Sequence, residues 1–209
     1  MNETPPAKDL IILVADKNFE AAFRGLLSRH ESLGVHSITF DIFVHPNRDP
    51  GCYRESERFL QSFSGKYSYA MVVFDRIGCG TGHSRDEIES DVETKLARNG
   101  WENRSKVIVL DPELEVWVWT QSPHVDEALG WKKPGQSLRD WLVEYGLADS
   151  IGEKPKQPKK AMEKALRQAK KPRSSAIYLR LAQSVSLEGH QEPAFLKLVN
   201  TLREWFEER

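Results

Sequence analysis

Cysteine is nearly absent from this 209-residue chain: Cys52 and Cys79 are the only two, and neither lies in a C-x-x-C. Two thiols cannot build a disulfide framework, and they cannot complete a four-ligand zinc site without histidines at matching spacing, so both read as reduced thiols. Long apolar runs are missing too. The longest, Leu10 to Ala15, falls far short of the roughly 20 residues that a bilayer span needs. No basic-then-apolar leader precedes it. A soluble, cytoplasmic protein that makes no membrane contact is the expectation. Internal repeats are absent, and so is any low-complexity tract apart from one basic stretch.

What is present suffices for a core. Hydrophobic residues make up 39% of the chain and charged ones 29%, with 6 Trp and 9 Phe, so the chain is expected to fold rather than remain disordered. Its length fits one sizeable domain, or one domain with an appendage. Overall charge is balanced at −1, but the balance hides an asymmetry. Between Ile151 and Arg173 nine Lys or Arg face only Glu153 and Glu163, which makes that segment +7 and the remainder −8. A basic segment on an acidic body can dock on that body, bind a polyanion such as DNA or RNA, or serve as a solvated helix face. The last is its commonest role.

Apolar periodicity divides the chain near residue 150. Leu10–Ala15, Ile38–Val44, Ala70–Phe74 and Val107–Leu110 are short β-branched or aromatic runs, near-continuous as in a parallel sheet buried on both faces. Between them, Phe19, Ala22, Phe23, Leu26 and Leu27, then Phe59, Leu60 and Phe63, then Ile88, Val92 and Leu96 follow helical spacing. Ser84 with Glu87 reads as a capping box. The order β-α-β-α-β-α-β predicts an α/β fold with an open, mainly parallel sheet over residues 1–150. Asp111 as N-cap, Pro112 at the first helical position and Glu113 predict a helix after the fourth strand, with a strand through Val116–Trp119 as the alternative. Ser137 and Asp140 open another helix. Beyond "EKPKQPK" the basic linker leads to C-terminal helices over residues 151–209, the last starting at Pro193.

In an open parallel sheet the carboxyl ends of the strands gather on one edge, where ligands bind. Each predicted strand delivers an acid there. Strand one ends in Asp16 with Glu20 a turn later, and strand two in His45, Arg48 and Asp49. Strand three ends in Asp75 and Arg76, and strand four in Asp111 with Glu113 and Glu115 beyond. Converging carboxylates repel one another unless a cation lies between them, and hard oxygen ligands suit Mg²⁺ or Mn²⁺. Asp16, Asp75, Asp111 and Glu115 are the candidate metal ligands. Arg48, Arg76, Lys159 and Lys160 are the candidate contacts to a phosphodiester or nucleotide phosphate. For Asp111, N-capping is a complete structural alternative. The turn "DRIGCGTGHS" offers the amides of Gly80, Thr81 and Gly82 to a phosphate, although His83 stands where a G-x-G-x-x-G needs glycine, and a turn needing positive φ is the stronger reading. Cys79 beside His83 lacks an orienting third residue and reads as a structural thiol. Trp117, Trp119 and Trp131 suit core packing better than base stacking.

Three segments carry a family resemblance: "ILVADKNFEAAFRGLL", "MVVFD" and "PELEVWVW". Together they resemble the TOPRIM-like proteins of prokaryotic genomes, and specifically the branch associated with restriction and anti-phage defence loci. Tyr178 and Leu181 in a Y-x-x-L helix and the final "PAFLKLVNTLREW" are similar to that branch as well, and an accessory role in a methylation-associated defence system is implied. The resemblance implies Mg²⁺-dependent handling of nucleic acid by Asp16, Asp75 and Glu115, with Glu20 in reserve, alongside other subunits of the system. This chain departs from the pattern in two places. The family has glutamate at the end of strand one and Asp-x-Asp after strand three, whereas here stand Asp16 and Asp75-Arg76-Ile77. A catalytically inactive interaction scaffold, or a nucleotide-binding sensor using residues 78–82, is the alternative expectation.

Overall fold

The computed structural model describes residues 7–187 and 189–207. Four parallel strands form one sheet in the order β2-β1-β3-β4: β1 Lys8–Val14, β2 Phe40–Val44, β3 Tyr67–Asp75 and β4 Ser105–Leu110. From Leu10 to Val14, Ala70 to Phe74 and Val107 to Leu110 the side chains are completely buried, as continuous apolar runs in a covered parallel sheet require. β2 lies at one edge and buries only Ile42. The α/β class expected from the apolar runs is what the chain adopts.

The crossovers are α1 (Lys17–Leu27) with the one-turn α2 (His30–Leu33), then α3 (Arg48–Gln61), then α4 (Arg85–Leu96). Because β3 returns across β1, the winding direction reverses between β1 and β3, and right-handed crossovers then put α1 on one face and α3 with α4 on the other. The capping box at Ser84 forms in both directions, and Ser137 caps the helix Leu138–Glu144 (α6) after α5, His124–Leu129. The exposed edge of β4 is closed by side chains: Glu93 and Glu89 of α4 accept the Val107 and Val109 amides at 3.0 and 2.9 Å. Burying acceptors on a free strand edge satisfies its donors and blocks further strand pairing.

Of the C-terminal helices α7 (Pro158–Gln168), α8 (Ser175–Ser184) and α9 (Pro193–Phe206), α9 packs against β4, α8 against α1, and α7 against α5 and the turn that follows β4. One continuous apolar cluster includes Phe19, Leu110, Leu166, Tyr178 and Leu202. α8 lies against α1 so closely that a Cβ on Gly25 would stand 2.7 Å from the Leu179 carbonyl oxygen. Glycine is what permits that approach.

One local expectation is corrected. The segment after β4 is not an α-helix capped by Asp111. Asp111–Pro112 is a cis peptide, Glu113 is extended, and only a 3₁₀ turn, Leu114–Trp117, follows. The Leu114 amide goes to Asp75 instead of a cap. After β2 the helix begins early, with Arg48 and Asp49 already in the first turn of α3. The tryptophans do pack inside: Trp119 is buried with its indole N–H on the Pro158 carbonyl, Trp117 lies between Phe23 and Phe195, and Trp131 lies against Trp141.

Candidate functional site

The carboxyl ends of β1 and β3 flank the point where the winding reverses, and three aspartates meet there. Asp16 caps α1, its Oδ1 accepting the Asn18 and Phe19 amides at 2.8 and 3.1 Å. Asp49, in the first turn of α3, accepts the Asp75 amide at 2.8 Å. Asp75 in turn accepts the Leu114 amide at 2.7 Å. All three are partly exposed, so solvent reaches them. Gly78 closes over Asp49, and a Cβ there would lie 2.5 Å from its carboxyl.

Crowding among these acids is visible in their proton affinities. Burial pushes Asp75 well above the usual carboxylate range, and the neighbouring charges of Asp49 and Glu115 push it the same way. Asp49 is raised by burial and by Asp16, against the lowering effect of the Asp75 amide. Lys159, at the start of α7, is the cation that opposes the rise at both. Its backbone N–H donates to Glu113 at 3.0 Å and its ammonium stands 4.0 Å from the same carboxylate. Carboxyls displaced from their ordinary range by burial and by each other, at a topological switch point, have the form of an acid–base site.

Glu115 has a different place. It is fully buried, and one oxygen accepts both the Arg173 guanidinium and the Tyr178 hydroxyl at 2.5 Å each. Arg173 also donates to the Tyr178 oxygen at 2.8 Å and pairs with Glu163 at 3.3 Å. Burial and the Glu115 charge push the Tyr178 phenol far upward. Asp111 is engaged elsewhere, by the Arg76 guanidinium at 2.7 Å. Among the described residues no three His, Cys, Asp or Glu side chains are grouped as a metal ion would need. The expected ligand set of Asp16, Asp75, Asp111 and Glu115 therefore does not fit Mg²⁺ as arranged. Each of its members takes a partner within the chain.

Of the expected phosphate contacts, Lys159 faces the aspartates and Arg76 holds Asp111. Arg48 is exposed with φ 51°, and Lys160 is exposed. Ile77, Pro112, Glu113, Lys156, Lys159 and Lys160 line a groove. Gly80 has φ 73°, the positive-φ turn its position suggested. Cys52 and Cys79 are buried free thiols whose proton affinity burial raises, which suits structural roles. Pairwise logic along the chain missed the convergence of Lys159 with the aspartates and the Glu115–Arg173–Tyr178 cluster. The one signal for each was the basic segment's charge and the Y-x-x-L helix.

Comparison with protein-family models, with curated proteins and with solved structures finds no match to this chain.

Proposed function

We propose that this chain is a subunit of a bacterial anti-phage defence system whose working site is the Asp16–Asp49–Asp75 cluster, with nucleic acid as its ligand. The observation that carries the reading is the meeting of three carboxylates with Lys159 at the β1/β3 switch point, two of them held above their ordinary range. A carboxyl whose proton affinity is raised suits proton transfer better than an ordinary one, and a lysine beside it offers positive charge to a phosphate. Lys160, Lys164 and Arg167 follow i, i+4, i+7 spacing on α7, away from buried Ala161, Met162, Ala165 and Leu166. They extend the positive charge outward from the cluster. Attack on or transfer of a phosphodiester is the chemistry these groups suit.

A second reading, the inactive scaffold, draws on a specific observation: every acid of this edge also has a structural duty. Asp49 holds Asp75, Asp75 holds Leu114, Glu113 holds α7 and Glu115 holds α8. Phage plaque assays on an Asp49→Asn, Asp75→Asn double variant, with folding checked by melting, separate the two. Loss of protection by a folded variant supports the working site, and full protection overturns it in favour of the scaffold. The nucleic-acid claim is tested by oligonucleotide affinity against salt. Replacing Lys159, Lys160, Lys164 and Arg167 by Gln is expected to flatten the slope, because fewer counterions are released. An unchanged slope overturns it.

A further inference from the structure

Far from the aspartates, α7 ends at a second open groove. Trp131, Lys132 and Lys133, just after α5, and Gln168 and Lys170, at the end of α7, are among its walls, and its volume is about 290 Å³. An apolar cavity of about 150 Å³ already takes benzene, so a nucleobase has room here. No carboxylate lines it among the described residues. Lys132, Lys133 and Lys170 are exposed and pair with no acid among those residues, whereas Lys8, Lys95, Lys156 and Lys197 each do. Lys171 is engaged separately, by the Ala128 carbonyl at 2.6 Å. Three cations gathered without a counter-charge repel one another, and a polyanion laid among them relieves that repulsion. Trp131 is half-buried, while Trp101, Trp119 and Trp141 are enclosed. Its ring lies against Trp141 at 5.0 Å and its N–H donates to the Gln136 carbonyl at 3.0 Å, which fixes the indole at the groove wall.

We infer that this groove takes one unpaired base of a single-stranded nucleic acid, the base stacked on Trp131 and the adjoining phosphates held by Lys132, Lys133 and Lys170. The inference rests on the nucleic-acid reading above and adds the strand state of the ligand. α7 joins the two places. Lys159 at its start stands by the aspartates, and Lys160, Lys164 and Arg167 continue along it toward the groove. Its 11 residues span roughly 16 Å at a rise of about 1.5 Å each. That length matches about five nucleotides at the roughly 3.4 Å spacing of a stacked strand. A duplex keeps its bases inside its own stack, whereas a single strand can lay a base face on an indole and its phosphates on ammonium groups. Both contacts tolerate any base sequence. Neither reads the ribose 2′-hydroxyl that separates RNA from DNA, so both kinds of strand are accepted.

Labelled oligothymidylate, oligouridylate and a DNA duplex, titrated against the full chain over a range of salt, test this. Both single strands are expected to bind wild type with similar affinity. Trp131→Leu should weaken both by about five- to a hundredfold, the range of one base–aromatic contact, and leave the salt slope and the duplex affinity unchanged. Replacing Lys132, Lys133 and Lys170 together by Gln should instead reduce the slope of log affinity against log salt by about 2, at about 0.7 per phosphate contact on a single strand. Trp131→Phe keeps a ring against Trp141 and so guards against misfolding. Quenching of tryptophan fluorescence by the bound strand should be largely lost in it. Binding of only one kind of single strand, dependent on Trp131, supports the groove and assigns its sugar. If wild type binds no oligonucleotide, the nucleic-acid reading of the aspartate cluster falls together with this one. If it binds, and the Gln replacements on α7 flatten the slope while both Trp131 variants keep wild-type affinity and quenching, the groove alone is overturned. Equal weakening of single strand and duplex by Trp131→Leu overturns it as well, since lost structure rather than a lost stack then explains the effect.

Discussion

Replacing Asp75 by asparagine should make the protein more stable at neutral pH. The Leu114 amide bonds to Asp75 Oδ1 at 2.7 Å, and an asparagine oxygen can accept it equally well. What the substitution removes is a charge that burial, Asp49 and Glu115 all disfavour. Two like charges 4 Å apart repel by about 1 kcal/mol in water and about 4 kcal/mol at an effective dielectric of about 20. Asp75 is partly exposed, so the lower end applies, and a gain of about 1 kcal/mol corresponds to a rise of about 2–4 °C in a chain of this size. The pH dependence has a definite sign. Asp75 binds its proton more tightly in the folded state, so the wild type loses stability as pH rises from the ordinary aspartate value, about 3.9, through the folded value. Asparagine does not titrate, and the two melting curves should converge toward about pH 4 and separate with rising pH. Asp75→Ala provides the control. It relieves the same repulsion but leaves the Leu114 amide unpaired, at a cost of about 1–3 kcal/mol, and should melt below Asp75→Asn at every pH. Melting by circular dichroism from acid to neutral pH reads all three proteins. An asparagine variant that is less stable than wild type at neutral pH, by an amount independent of pH, would refute the repulsion argument.

Three further outcomes follow from the same geometry. Arg173→Leu leaves buried Glu115 with Tyr178 alone and should cost about 3–5 kcal/mol in denaturant melts, more than Glu115→Gln, whose orphaned Arg173 can still reach water; the reverse order would show that the pair does not anchor α8. Gly25→Ala inserts a methyl 2.7 Å from the Leu179 oxygen and should cost about 1–3 kcal/mol through overpacking, so unchanged melting would mean that α8 sits farther from α1. Asp111→Asn breaks an exposed pair with Arg76 and should change stability by less than about 1 kcal/mol, with a larger loss in melts indicating a structural role beyond that pair.

The strands were legible because three of them are uninterrupted apolar runs, and no helix or loop reading accounts for Leu10–Ala15 or Ala70–Phe74 as well. Helices with a capping signal, such as those after Ser84 and Ser137, were legible for the same local reason. Asp111-Pro112-Glu113 carries an equally good start signal, yet the chain there has no helix. The deciding partner, Asp75, is 39 residues away from Leu114, and local propensity contains no information about it. The start of α3 at Arg48 was hidden by Pro50, which suits a first turn but also marks turns in loops. The acids of the edge were all visible. Which of them face one another was not, since Asp111 and Glu115 differ from Asp49 and Asp75 only in tertiary partners.

The same distinction bears on how an edge rich in acids should be understood. A carboxylate at a strand end has three possible fates: it can take a backbone amide, take a cationic side chain, or remain available to a ligand. Glu115 and Asp111 take guanidinium groups, and Asp16 has a helix start to hold. Asp49 and Asp75 take backbone amides, Asp49 that of Asp75 and Asp75 that of Leu114. Burial and the neighbouring carboxylates raise their proton affinity, and the amides they accept offset that rise only in part. Stability alone would be served better by asparagine at position 75, and a residue kept against stability at a topological switch point is where function is to be sought. The pairing of an Asp75→Asn variant that melts higher with one that fails to protect against phage would be the mark of such a residue.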